Sequence, residues 1–114
     1  QTCALPIYLF AGSARILETS FSEVVTAQQV RSYKPQPVHF REVLSRLGLS
    51  KDRVLHVAQS VYHDIEPASA LGISTVWVNR RQGREGQGAT PPSSARPDVE
   101  VPDLQSLVDL MGIA

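Results

Sequence analysis

Cysteine is nearly missing from this chain, in which Cys3 is the only one. A single thiol excludes an internal disulfide framework and any cysteine-rich zinc site, and it is compatible with a reducing compartment. An excess of one charge is missing as well, because 11 Lys and Arg balance 11 Asp and Glu. Proteins bind nucleic acids and anionic membranes through clusters of excess basic residues, so neither is expected as a partner.

Long apolar runs are also absent, and no stretch approaches the roughly 18–20 residues that a membrane span needs. The apolar run at residues 3–10 lacks a basic flank and contains Pro6, so it does not have the features of a targeting segment. Hydrophobic residues make up 42% of the 114 residues and charged residues 19%, a composition typical of a globular domain with its own core. These features predict a single cytoplasmic domain.

The spacing of apolar residues predicts alternating strands and helices. The predicted strands cover residues 23–26, 54–58, 75–78 and 98–101, and the predicted helices cover residues 11–19, 40–47, 65–71 and the segment that Pro102 and Asp103 open. Gly48 terminates one of these helices, and Gly72 follows another as a left-handed cap. A loop over residues 28–35 is expected after the first strand, and the Gly, Pro and Ser of residues 83–94 predict a mobile surface loop. This alternation favours an α/β fold with a parallel sheet that is covered on both faces.

Ligands of open parallel sheets bind at the carboxyl ends of the strands, so the residues after each predicted strand are the candidates for chemistry. They are Gln28, Ser32, Tyr33 and Lys34 after the first strand, Gln59, Ser60, Tyr62, His63 and Asp64 after the second, and Asn79, Arg80 and Arg81 after the third. Asp64 can bind a metal or steer a base, or it can cap the helix that starts at Ile65. Lys34 can present a fixed cation to an anionic substrate, or it can be solvated. The residues alone leave both choices open.

The remaining polar candidates favour structural roles. His63 is expected at the surface, and His56, inside a strand pattern, is expected to be a hydrogen-bonded core residue. Ser60 has no histidine at a recognisable triad spacing, although triads are defined by geometry and not by spacing. The pair Arg80 and Arg81 can meet a carboxylate or phosphate, or remain solvated.

Three segments carry a family resemblance. They are VVTAQQVRSYKP at residues 24–35, VLHVAQSVYHD at residues 54–64 and LGISTVWVNR at residues 71–80. In this order they closely resemble the haloacid dehalogenase (HAD) superfamily, and they look most like its haloacid dehalogenase-like hydrolases over about residues 11–114. The resemblance implies a HAD-type Rossmann-like parallel sheet with flanking helices, and hydrolysis of a small-molecule substrate through an aspartyl-ester intermediate.

The resemblance also assigns roles to individual residues. Lys34 would hold the charge of a nucleophilic aspartate and of the transferring group. Asp64 would help to bind Mg²⁺, as in the family's phosphatases, or would order the site, as in its metal-free dehalogenases. Lys34 and Asp64 would then face one cleft. Ser32, Gln59, Ser60 and Asn79 are the polar residues expected to line it and contact the substrate.

Two departures from the family pattern bear on the activity. Ala58 and Gln59 stand where the phosphatases usually carry Gly-Asp, and a neutral amide is a poorer ligand for a hard cation than a carboxylate. This favours a dehalogenase without a cofactor over a Mg²⁺-dependent phosphatase with Asp64 as ligand, which stays the alternative. The second departure is that the sequence has no Asp-x-Asp motif to supply the nucleophile.

The missing motif predicts that residues 11–114 are the C-terminal half of a HAD-like catalytic domain without its N-terminal strands and cap, and that this chain alone is inactive. Residues 1–7 correspond to one reading frame of a widely used sequencing adaptor, so residues 1–10 are expected to be a non-native or disordered start. A non-catalytic α/β nucleotide-binding module is the rival from another class. It is disfavoured because no Gly-rich phosphate loop follows any predicted strand.

Overall fold

The computed structural model describes residues 13–81, 84 and 91–112. The chain divides into two compact units, Gln1–Ser50 and Lys51–Ala114. The predicted non-native start at residues 1–10 lies outside the described residues, and so do residues 83 and 85–90 of the predicted mobile loop. No helix in the described part of the chain is both long and apolar enough to cross a membrane.

The regular elements among the described residues of the first unit are helices. Residues 13–16 form a short helical segment within the predicted helix over residues 11–19. Helix α1 spans Ala27–Val30 and helix α2 spans Val38–Leu47. Helix α2 confirms the prediction for this region: it buries Phe40, and it ends at Gly48, whose φ of 63° is left-handed and whose N–H donates to the Leu44 carbonyl oxygen.

The strand predicted for residues 23–26 is wrong, and so is the continuous loop predicted over residues 28–35. Thr26 is instead the N-cap of α1: its Oγ1 accepts from the Gln29 N–H at 3.2 Å, and Gln29 Oε1 accepts from the Thr26 N–H at 3.1 Å. The carbonyl of Val24 accepts from Arg46 Nη1 at 3.3 Å, which ties this segment to α2. The backbone groups that a strand would use in a ladder therefore serve a capping box and an arginine.

The second unit is built around a parallel sheet. Its elements are a 3₁₀ turn at Lys51–Arg53, strand β1 at Leu55–Ala58, a π-helical turn at Val61–Ile65, helix α3 at Glu66–Ala70, strands β2 at Ser74–Val78 and β3 at Val99–Val101, and helix α4 at Leu104–Met111. The strand order is β1-β2-β3, and both pairings are parallel. The predicted α/β fold with a parallel sheet is confirmed, with each of these three strands within one residue of its predicted bounds.

One face of this sheet carries a buried apolar cluster. Val76, Val78, Val101 and Leu107 form a buried cluster, so α4 covers that face through Leu107. Val57 lies in register with Val76 and shares its face of the sheet. Side chains alternate between faces along a strand, so the neighbouring His56 points to the opposite face. The helical turn after β1 reaches the sheet on that second face, which places helical segments on both sides as expected for an α/β sheet.

Candidate active site at the end of strand β1

The helical region after β1 begins earlier than the sequence predicts. Ser60 is its N-cap, because Ser60 Oγ accepts from the His63 N–H at 3.1 Å and lies 3.0 Å from His63 Nδ1. The π-helical turn therefore starts at Val61, four positions before the predicted start at Ile65. The interpretation of Asp64 as the cap of this helix is wrong, because Ser60 holds that position and Asp64 lies inside the turn.

The carboxylate of Asp64 is directed back at strand β1. Asp64 is buried, with 7% of its surface exposed, and its Oδ1 lies 3.1 Å from His56 Nε2. An ionised carboxylate can only accept hydrogen bonds, so the imidazole donates through Nε2–H in this pair. The prediction that His56 is a hydrogen-bonded residue of the strand is confirmed, although its side chain is 24% exposed and is not in the core.

The start of the same connection is held from strand β2. The indole Nε1–H of Trp77 donates to the carbonyl oxygen of Gln59 at 2.7 Å. Trp77 lies in register with Ala58, the last residue of β1, so its ring reaches the backbone directly after that strand. This contact was not predicted from the sequence. The signal that could have indicated it is the single tryptophan of the chain, which lies within a strand that precedes candidate site residues.

Asn79 follows β2 and connects it to β3. Its backbone N–H donates to the Val101 carbonyl oxygen at 2.8 Å, which adds one hydrogen bond to the pairing of β2 with β3. Its side-chain Nδ2 donates to Glu100 Oε1 at 2.8 Å, and its Oδ1 accepts from the Arg81 N–H at 3.2 Å. The predicted lining residues Gln59, Ser60 and Asn79 thus follow the carboxyl ends of the neighbouring strands β1 and β2.

Lys34 and Ser32 belong to the first unit. They lie in the connection between α1 and α2, where both are half-buried and where the Lys34–Pro35 peptide bond is cis. The Ser32 N–H donates to the Ala27 carbonyl oxygen at 3.2 Å, and Arg31 ends α1 in the left-handed region with φ of 54°. The expected position of both residues after a strand is therefore wrong, because a helix precedes them. Their convergence with Asp64 on one cleft stays a prediction.

The residues at the end of β1 fit a divalent cation poorly. Among the described residues, no three His, Cys, Asp or Glu side chains are grouped so that they could hold a metal ion. The residue next to the strand end is the exposed amide Gln59, and Asp64 already has Oδ1 engaged by His56. Mg²⁺ prefers carboxylate oxygens in near-octahedral geometry, and this donor set offers one partly committed carboxylate.

Comparison with known proteins identifies the family. The sequence pattern of the family described as haloacid dehalogenase-like hydrolase matches residues 14–78, more than half of the chain. The chain is 34% identical over 76 residues to haloacid dehalogenase-like hydrolase domain-containing protein 3 of Danio rerio, covering 67% of this chain and 31% of that protein. It is 26% identical over 98 residues to haloacetate dehalogenase H-2 of Moraxella sp. strain B, covering 85% of this chain and 41% of that protein.

A solved structure agrees with these matches. The HAD phosphatase from Thermococcus onnurineus superposes with a TM-score of 0.71 at 25% identity, covering 94% of this chain and 46% of that one. The chain therefore spans less than half the length of each of these relatives. The family pattern runs from the first helical segment through the candidate site to the end of β2, and the chain belongs to the haloacid dehalogenase-like hydrolases.

Proposed function

We propose that this chain supplies Lys34 and Asp64 to a hydrolase that releases halide from a small 2-haloacid, without a metal cofactor. The observation that carries the choice of reaction is the donor set after β1, where Gln59 replaces an acid and Asp64 is engaged by His56. The sequence similarity to haloacetate dehalogenase H-2 supports the same choice. The chemistry of the family's phosphatases needs a hard cation, for which this donor set is poor.

The proposed reaction has two steps. A carboxylate attacks the carbon that bears the halogen, so a C–O bond forms and the halogen leaves as halide with the electron pair of its bond to carbon. Water then attacks the carbonyl carbon of the ester, and the bond from that carbon to the ester oxygen breaks. This releases the 2-hydroxy acid and regenerates the aspartic acid, so one difficult displacement is divided into two easier steps. Because no Asp-x-Asp motif occurs in this sequence, the attacking aspartate is assigned to the part of the protein that its relatives carry beyond the matched region.

The residues of this chain would act around that nucleophile. The Lys34 ammonium would stabilise the charge of the nucleophilic aspartate and of the transferring group in a partly desolvated position. Asp64 would order the end of β1, and the polar groups of Ser32, Gln59, Ser60 and Asn79 would contact the substrate. The family resemblance is the support for each of these roles.

The test measures halide and phosphate release by the full-length protein that contains this chain. The substrates are chloroacetate, (S)-2-chloropropionate and p-nitrophenyl phosphate, each with Mg²⁺ and with a chelator. We expect halide release that the chelator leaves unchanged. Phosphate release that depends on Mg²⁺, without halide release, would contradict the proposal and favour the phosphatase alternative, which the similarity to the Thermococcus onnurineus phosphatase supports.

A further inference from the structure

We infer that His56 is a positioning residue of this site: its Nε2–H holds the Asp64 carboxylate in one orientation. The inference rests on the proposed function and deepens it, because it names the side chain that orients the Asp64 carboxylate in a site without a metal. The observation behind it is the contact of 3.1 Å between His56 Nε2 and Asp64 Oδ1.

Both partners are carried by defined elements. His56 lies in the middle of β1, in register with Thr75, which is fully buried in the neighbouring strand β2. Asp64 lies in the π-helical turn whose start is fixed by the Ser60 cap. The contact therefore joins a strand residue to a turn residue eight positions later.

Burial makes this contact consequential for Asp64. The carboxylate side chain is 11% exposed, and a charge at that depth must be compensated by donors from the protein. A histidine donor satisfies one oxygen with a fixed angle, which a mobile water would not do. Without the imidazole, the Asp64 side chain would turn towards solvent or towards other donors, and the geometry of the strand end would change.

His63, which lies in the same π-helical turn as Asp64, provides a control for substitutions of His56. The ring and backbone of His63 bond Ser60, whereas the ring of His56 bonds Asp64. The variants are His56→Leu, which removes the donor, His56→Gln, which keeps an N–H donor on a side chain of similar reach, and His63→Leu as the control. The purified chain is used for NMR, and the full-length protein is used for kinetics.

The NMR readout is the χ1 rotamer of Asp64, from side-chain scalar couplings, together with the ring ¹⁵N shifts of His56. We expect a single Asp64 rotamer and a protonated His56 Nε2 in the wild type, averaged couplings in His56→Leu, and a single rotamer in His56→Gln and His63→Leu. An averaged Asp64 in the wild type, or an unprotonated Nε2, would overturn the inference. If His56→Leu does not fold, the wild-type shifts and His56→Gln decide.

The kinetic readout separates positioning from general packing. For halide release we expect His56→Leu to lower kcat about tenfold or more while KM changes less than about twofold, since misplaced catalytic groups act on the transition state. His56→Gln should recover most of that loss, and equal losses in both variants would overturn the inference. Failure of the proposed function has a different signature: the wild type would release no halide, while the NMR result on Asp64 would stand by itself.

Discussion

A single backbone angle makes Gly72 hard to replace. It follows α3 with φ of 81°, a region that side chains with a Cβ enter at a cost of roughly 1–2 kcal/mol. A Cβ at this position would lie 3.0 Å from Lys51 Nζ, but the end of a lysine can move aside. The backbone angle, and not the contact, therefore dominates the cost of a substitution.

The corresponding prediction is that Gly72→Ala lowers the free energy of unfolding by about 1–2 kcal/mol. The measurement is urea denaturation of the chain. Gly112→Ala is the control, because its φ of 67° is similar and a Cβ added there would meet no atom within 4 Å. Similar losses in both variants would confirm the backbone as the cause, whereas an unchanged stability of Gly72→Ala would contradict it.

The sequence indicates which side chains form hydrogen bonds but does not identify their partners. His56 was expected to be hydrogen-bonded, yet nothing in the sequence identified Asp64 as its partner. The pair forms because a π-helical turn, a rare element, carries Asp64 back to β1. The contact between Trp77 and Gln59 likewise depends on the register of β1 and β2, which is a property of the folded sheet.

The start of α1 shows why the sequence predicts a strand over residues 23–26, where the structure has none. The segment of residues 23–26 is short and rich in β-branched side chains, which is the pattern of a strand. Threonine, the residue at position 26, is also a favoured helix N-cap. The decisive partner is Gln29, three positions later, which completes the capping box. Helix α2 and the sheet strands were predictable because their apolar spacing and end signals agree.

The prediction for this element is that Thr26→Ala destabilises the chain by about 1 kcal/mol, because a buried hydroxyl cap is lost. Thr26→Ser keeps the oxygen that accepts from the Gln29 N–H and is expected to lose clearly less. Urea denaturation of the two variants gives the comparison. If the serine variant lost as much as the alanine variant, the capping bond would not be the cause.

Helix α4 carries a pH-dependent cap. Asp103 Oδ1 accepts from the Ser106 N–H at 2.7 Å, and this backbone hydrogen bond lowers the pKa of Asp103 below its ordinary value of 3.8. A carboxyl whose pKa is lower in the folded state stabilises the fold fully above its ordinary pKa, and the contribution disappears as the pH falls through the folded value. The cap is therefore strongest at neutral pH.

We expect the stability difference between the wild type and Asp103→Asn to be larger at about pH 6 than at about pH 2, because the aspartate at this position titrates in this range and asparagine does not. Asparagine keeps an oxygen acceptor, so the comparison isolates the charge. Urea denaturation followed by circular dichroism at both pH values gives the two differences. A difference that stays constant, or grows on acidification, would contradict the assignment.

For the chain as a whole, the sequence predicts the fold class but not the arrangement of the candidate site residues. Alternating strands and helices require a parallel sheet with helices on its faces, and the sheet of β1, β2 and β3 has this form. Lys34 was expected after a strand but lies between two helices of the first unit. The sequence predicts the wrong element before Lys34 because the strand pattern of residues 23–26 shares Thr26 with the capping box that starts α1.

The proposal that Lys34 serves the reaction of a haloacid dehalogenase-like hydrolase is tested most directly by comparing the two lysines of the sequence, Lys34 and Lys51. Halide release from (S)-2-chloropropionate is measured for the full-length protein, for Lys34→Ala and for Lys51→Ala as the matched loss of one positive charge. We expect Lys34→Ala to lower kcat/KM by about a hundredfold or more, and Lys51→Ala to stay within about twofold of the wild type. Near-normal turnover in Lys34→Ala would contradict the proposal.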